Sequence, residues 1–330
     1  MSDRHTPRPG VGPDDVGVGE GDVLGGEGTQ AAVAVAMGGE PPLHQASLWS
    51  DAWKQLRRRP LFLFSAALIL LFTAMAIAPG LFTDQDPNFC QLRGPSGDIQ
   101  SANPPGPGHV FGLDIQGCDY FARVVYGARV SLIIGLAVVA VDVMIGVALG
   151  SLSGFYGGKI DAITARVSDV FFAIPTFLGG IVLLSVLGER GLVQVSLVLI
   201  VLGWPTLMRL MRASVLSIRE SDYVQAARAL GASDLRIMRV HILPNAIAPV
   251  IVYGTITVGI IITAEASLSF IGVGLQLPEI SWGLMISQSQ SRVFTSPHLL
   301  LFPGLALSLL VFSFILLGDT LRDALDPRLR

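Results

Sequence analysis

Apolar residues fall in six long blocks, separated by short stretches that are polar or rich in glycine and proline. The blocks cover roughly 61–79, 130–153, 167–187, 191–208, 246–267 and 299–317. A run of about 19 residues at about 1.5 Å each reaches roughly 28 Å, the thickness of a bilayer's hydrocarbon core. Inside lipid every backbone N–H and C=O must be paired within the chain. The blocks therefore predict an all-α integral membrane protein with about six transmembrane helices. The third and fourth are joined only by "GERG", which predicts a tight helical hairpin.

The pattern changes before the first block. Residues 1–47 are glycine-rich and acidic with few large apolar side chains. Such a segment cannot bury enough surface to offset its ordering entropy, so it is expected to be a disordered tail preceding a membrane domain over 48–330. The first apolar block begins near Leu61, too late and too long for the core of a cleavable leader, and none is expected.

Composition agrees with the pattern. Charged residues make up 14% of the chain, where a soluble domain carries roughly 25%. The net charge of -3 hides an uneven distribution. With the N-terminus inside, seventeen of the 22 Lys and Arg residues fall on inner segments. Short inner loops carry such an excess, so both termini are expected to be cytoplasmic. Trp49, Trp53 and "KQLRRR" then form an inner-interface anchor before the first span. Segments 80–128 and 273–298 lie outside, and the half-apolar second one is expected to dip back against the membrane. Cys90 and Cys118 share the outer 80–128 loop, a setting that permits a disulfide, with two free thiols as the alternative. Such a closure is worth about 3 kcal/mol.

The inner loop 209–245 carries the most informative polar stretch, "DYVQAARALGASDLRIMRVHILPN". Tyr223, Ala226, Ala227 and Leu230 recur at helical spacing and predict one face of a short helix. Ser221 is placed to cap that helix, Gly231 to stop it, and Ser233 to cap a second helix that Pro244 ends or kinks. A surface helix that binds lipid carries bulky apolar residues opposite its basic face. Small residues at a tight corner instead suit insertion into a groove of a partner protein.

This stretch resembles the Glu-Ala-Ala cytoplasmic loop of ABC-importer permeases. Gln225-Ala226-Ala227, Gly231 and Ile242-Leu243-Pro244 occupy its pattern, with Gln225 standing where the family has Glu. "GLDIQGCDYFARVVYGARVSLIIGL", "YGGKIDAITARVSDVFFAIP", "AEASLSFIGVGLQLPEISWGLMI" and "GDTLRDALDPRLR" resemble, in order, segments of the C-type subunit of oligopeptide and dipeptide importers. Cys118 departs from that pattern, which usually has Arg there, and a cysteine gained alongside Cys90 fits a disulfide peculiar to this branch.

The resemblance implies a type I importer permease in a bacterial cytoplasmic membrane. It would work with a second homologous permease, two P-loop ATPase subunits or one fused ATPase, and an extracytoplasmic binding protein that delivers peptides. Nickel chelates or other small solutes are the alternative cargo, and no nucleic-acid partner is expected. Tyr223, Gln225, Ala226, Ala227, Gly231, Ala232, Ser233, Asp234 and Pro244 would form the ATPase-coupling segment. ATP and Mg would sit on the partners. A P-loop needs G-x-x-x-x-G-K-[ST], and neither Lys54 in "AWKQL" nor Lys159 in "SGFYGGKI" fits it. The chain is thus expected to be non-catalytic and to bind no cofactor or metal; its five histidines show no HxxxH.

Two carboxylates within spans need separate accounts. Asp142 falls near the middle of the second block, where a charge is expensive without a partner. It is either a pathway group that meets the amino end of a peptide or a hydrogen-bonding partner of a neighbouring helix, and a proton-coupled transporter would also use it. Glu265, near the outer end of the fifth block, either pairs across an outer gate or anchors the returning segment. Asp169 is expected to be solvated at the interface or to pair with Arg166, with transport chemistry as the alternative, and Pro175, Pro205 and Pro249 to interrupt or kink spans.

Overall fold

The computed structural model describes residues 53–94, 97–188 and 190–325. The expected disordered tail over 1–47 lies outside the described residues, as do Trp49 and the last five residues. Helices account for the regular structure, and the described residues hold only isolated β-bridges, no strand.

The first span is α1, Pro60–Ile77, with Pro60 in its first turn, where a missing N–H is harmless. α2, Tyr120–Tyr156, is much longer than the apolar block 130–153. The expected outer loop 80–128 therefore ends at Asp119, whose carboxylate caps α2 by accepting from the Ala122 N–H at 2.8 Å. Arg123 and Arg129 end the apolar run without ending the helix. Arg123 is ion-paired with Asp114, and Arg129 Nε donates to the Ala76 carbonyl at 2.8 Å.

The block 167–187 is not one straight span. It is two helices, α3 (Gly158–Ala173) and α4 (Thr176–Leu187), bent by 85°. Pro175 removes an N–H and forces Ile174 into an extended conformation, with φ -87° and ψ 115°. α5, Leu192–Arg219, continues well past the expected end at residue 208 and holds Pro205 within it.

After the short α6, Asp222–Ala229, the chain enters α7, which runs unbroken over Asp234–Phe270. Pro244 was expected to stop or kink this segment. Instead a π-helical stretch, Ile237–Ile242, precedes it and absorbs the misfit of the proline ring and its missing N–H. The returning segment contains α8, Trp282–Ser289, and the last span is α9, His298–Leu325.

Two contacts explain how this bundle holds together. Gly146, Gly150 and Gly154 form a stripe on α2 that lies directly on α5. A Cβ at Gly150 would sit 2.6 Å from the Met208 carbonyl oxygen, and one at Gly154 would sit 2.9 Å from Val215 Cβ. Small residues at four-residue spacing let two helix backbones approach this closely. At the other end Trp282 is fully buried, donates from Nε1 to the Val124 carbonyl at 2.8 Å and meets Phe72 edge to face. The returning segment thus caps α1, α2 and α7. Cys90 and Cys118 are disulfide-bonded at the same end of the bundle. The bundle therefore has a capped end (residues 78–119 and 271–297) and a basic end, where Arg59 pairs with Asp323 and Arg219 reaches the carbonyls of Gly154 and Phe155.

Candidate functional site

The corner begins where α5 stops. Ser221 stands at the N-cap position of α6, but its hydroxyl donates to the Ile218 carbonyl at 2.6 Å and makes no cap bond. Its backbone carbonyl instead accepts from Val224 and Gln225 N–H at 3.1 Å each. Gln225 Nε2 donates to the Arg219 carbonyl at 3.2 Å. A glutamate at this position could not donate that bond, so the departure from the Glu-Ala-Ala pattern ties α6 to the last turn of α5.

α6 ends in a Schellman corner. Gly231 N–H donates to the Arg228 carbonyl at 3.0 Å, and Ala232 N–H reaches the Ala227 carbonyl at 3.1 Å. This geometry needs a residue in the left-handed region, and Gly231 supplies it with φ +82°. Ser233 then stands before α7, again without a side-chain cap, and its carbonyl accepts from Ile237 N–H at 2.9 Å.

One side of the corner is anchored. Val224 is fully buried with Met211, Val215, Ile237 and Ile242 in an apolar cluster at the basic end. The face predicted from Tyr223, Ala226, Ala227 and Leu230 is the opposite one. Tyr223 is 47% exposed and Leu230 89% exposed; Ala226 is exposed and Ala227 half-buried. Gly231, Ser233, Asp234 and Leu235 continue this outward surface, while Ala232 is half-buried. Pro244 is not part of the corner: it lies about 15 Å further up α7.

Arginines of α5, upstream of the corner, link that helix to α3. On α5, Arg209 pairs with Asp169 at 2.5 Å, and its guanidinium lies 4.0 Å above the Phe172 ring. Arg166, the expected partner of Asp169, is 3.7 Å away and is the weaker contact. Arg212 grips Asp161 with both Nε and Nη2. The Asp161–Arg212 pair was not visible in the sequence, because its partners lie on separate helices.

Asp142 and Glu265 occupy different sites. Asp142 is fully buried on the glycine stripe of α2, one helical step before Gly146, and faces Gly203 of α5. A Cβ at position 203 would collide with its carboxyl group, and neither carboxyl oxygen has a hydrogen-bond partner among the described residues. It sits in a helix contact, not in a described cavity. Glu265 is fully buried and accepts from Ser269 Oγ at 2.8 Å, while Ser269 Oγ accepts from the Leu275 N–H at 3.0 Å. This chain of bonds fastens the start of the returning segment. No contact among the described residues brings Asp142, Glu265 and the corner together.

The sequence matches a known family. Residues 146–330 match the binding-protein-dependent transport system inner membrane component, and residues 47–103 match the N-terminal transmembrane domain of oligopeptide transport permease C. The chain is 38% identical to the oligopeptide transport system permease protein OppC of Bacillus subtilis (strain 168), over 86% of this chain and 91% of that protein. It is 37% identical to the dipeptide transport system permease protein DppC of Alkalihalophilus pseudofirmus, over 88% of this chain and 94% of the relative. A solved structure of inward-facing MetNI methionine ABC transporter superposes with TM-score 0.52 at 22% identity, covering 62% of this chain and 96% of that one, and supports the fold alone. The chain belongs to the binding-protein-dependent transport system inner membrane components and is a multi-pass permease subunit of an ABC importer.

Proposed function

We propose that this permease forms part of the translocation pathway for oligo- or dipeptides, handed over by an extracytoplasmic binding protein. ATP is hydrolysed on two P-loop ATPase subunits or one fused ATPase, which bind ATP and Mg, and a second homologous permease completes the pathway. The corner over 222–236 rests in a groove of one ATPase. The observation that carries this reading is the division of the corner into two faces. Val224 is fixed in the bundle, while Tyr223, Ala226, Leu230 and Leu235 face outward around a rigid glycine turn. Such a surface is built to be seated against protein and to pass displacement on. The oligopeptide and dipeptide permeases among the relatives support peptides as cargo. The excess of basic residues at the corner's end supports a cytoplasmic placement of that end and of both termini.

The test is a mild-detergent purification of the tagged chain, followed by mass spectrometry and by uptake of labelled di- and oligopeptides into liposomes. Recovery of a second permease and P-loop ATPases, with uptake that needs ATP, supports the reading. A chain that purifies alone and moves solute without ATP overturns it. Asp142 would favour a proton-coupled carrier only if it faced a water-filled path, and its place against Gly203 inside a helix contact speaks for a packing role.

A further inference from the structure

α3 is unusual in how it is held. Ser168 is its one fully buried residue among those described, so almost no apolar packing secures it. Its apolar side chains Ile163, Val167 and Val170 are exposed. A break in the helix line bounds it at each end. Gly157 precedes it and Gly158 begins it, with φ +66° and +57°, and Ile174-Pro175 breaks it from α4 at 85°. What joins α3 to α5 is one edge-to-face contact of Phe171 on Trp204 and a row of polar contacts. Asp161 is gripped by Arg212, Ser168 Oγ accepts from Arg209 Nε at 3.1 Å, and Asp169 pairs with Arg209.

From this arrangement we infer that Asp161–Arg212 and Asp169–Arg209 are a polar clasp that makes α3 follow α5. The inference rests on the proposed coupling role of the corner. α5 leads straight into α6 through Glu220 and Ser221, so a displacement of the seated corner moves the inner half of α5. With a break at each end and little packing, α3 would stay behind unless the ion pairs carry it. Carried along, it levers the bent junction at Pro175 and thereby α4. Arg209 and Arg212 are positioning residues in this scheme and touch no substrate. Coupling of this kind must run through discrete, physically connected contacts, and the two pairs are the strongest ones between these helices.

The test uses the whole complex, purified through this chain with its partners and reconstituted in liposomes with a labelled dipeptide and tripeptide mixture. Asp161→Asn combined with Asp169→Asn should reduce peptide moved per ATP hydrolysed by about five-fold or more, the lower range of a typical coupling effect. ATP hydrolysis, assembly and thermal stability should stay close to those of the unaltered complex, which a merely structural role would not leave unchanged. Exchanging the charges, Asp161→Arg with Arg212→Asp, should recover the ratio that Asp161→Asn alone loses. An unchanged ratio in the neutralised variant, or a charge exchange that recovers nothing, overturns the clasp.

A second measurement does not depend on cargo. Spin labels on cysteines replacing Ile163 and Ala213 report the α3–α5 separation, since Cys90 and Cys118 are already bonded to each other. That separation should be the same in nucleotide-free and ATP-trapped complexes and should spread only when the aspartates are neutralised. A separation that changes with nucleotide in the unaltered complex overturns the clasp. An unaltered complex with no ATP-dependent uptake would instead count against the proposed function and leave this distance test standing.

Discussion

Replacing Gly231 tests whether the corner acts as a rigid turn. The backbone there is left-handed, with φ +82°, and a Cβ built on it meets nothing within 4 Å. Any penalty within the chain is therefore conformational and not steric. An L-residue in this region costs about 1–2 kcal/mol. Asn tolerates the region best among residues with side chains, and a β-branched residue is a genuine outlier there. The expected order of damage is Gly231→Asn, then Gly231→Ala, then Gly231→Val. A cost of 1–2 kcal/mol shifts the balance between formed and frayed corner by roughly 5–30-fold. The Gly231 and Ala232 amides donate to Arg228 and Ala227, so hydrogen exchange at these two positions reads that shift directly. Uptake per ATP should fall in the same order while insertion and the transmembrane core are untouched. Wild-type uptake by Gly231→Val would refute the reasoning. So would an Asn variant as impaired as the Val variant, because that would mean contact surface matters and backbone geometry does not.

Other regions give equally direct expectations. Gly150→Leu forces side-chain atoms into the Met208 backbone and should destabilise the chain by about 1–3 kcal/mol, whereas Gly304→Ala, with open space at its Cβ, should leave the melting temperature in detergent unchanged or raised. Trp282→Ala removes a fully buried ring and its bond to Val124, and should lower stability by about 3–5 kcal/mol. Cys90→Ser with Cys118→Ser removes a cross-link worth about 3 kcal/mol by loop-closure entropy, and thiol labelling of the unaltered chain without reductant should be negligible. Asp142→Asn keeps the shape beside Gly203 and removes a formal charge, so assembly and ATP-driven uptake should survive; loss of uptake with intact assembly would make Asp142 a pathway group.

Span positions were legible in the sequence because lipid demands long apolar stretches, and the 61–79 block matches α1 closely. Span ends were not legible. Hydropathy falls at Arg123 and Arg129, yet α2 continues through both, because Asp114 and the Ala76 carbonyl meet their charges from distant parts of the chain. Pro175 announced an interruption but not an 85° break, since its size depends on what each half packs against. At Pro244 the same residue type failed to end a helix, because a π-helical turn can absorb the ring. The glycine of the corner was readable, since few residues accept positive φ. Its buried face was not: the small-residue pattern pointed to the free surface, while a single side chain, Val224, supplies the anchor. Both serines at helix starts were misjudged as side-chain caps. Ser221 satisfies its hydroxyl on Ile218 instead, a local competition that spacing cannot reveal.

These findings separate what is stiff from what is free to move. α2 and α5 touch backbone to backbone along Gly146, Gly150 and Gly154, and bulky side chains cannot slide out of such a contact without opening it. Asp119 caps α2 at the capped side, and Arg219 of α5 ties the two helices at the other end through the carbonyls of Gly154 and Phe155. The pair therefore behaves as one beam that starts at the corner and ends under the Trp282 cap. α3 has the opposite character, with Gly157 before it, a proline break after it and mainly polar contacts to α5. A force applied at Leu230 and Leu235 would reach the capped end through the beam and the bent helices through arginines. Polar contacts suit the second route because they can be broken and remade at modest cost beside water, whereas a glycine-packed seam cannot. The placement of charge on α5 thus follows from mechanics: Arg209 and Arg212 lie where a stiff element must move a loose one, and Arg219 lies where two stiff elements must stay together.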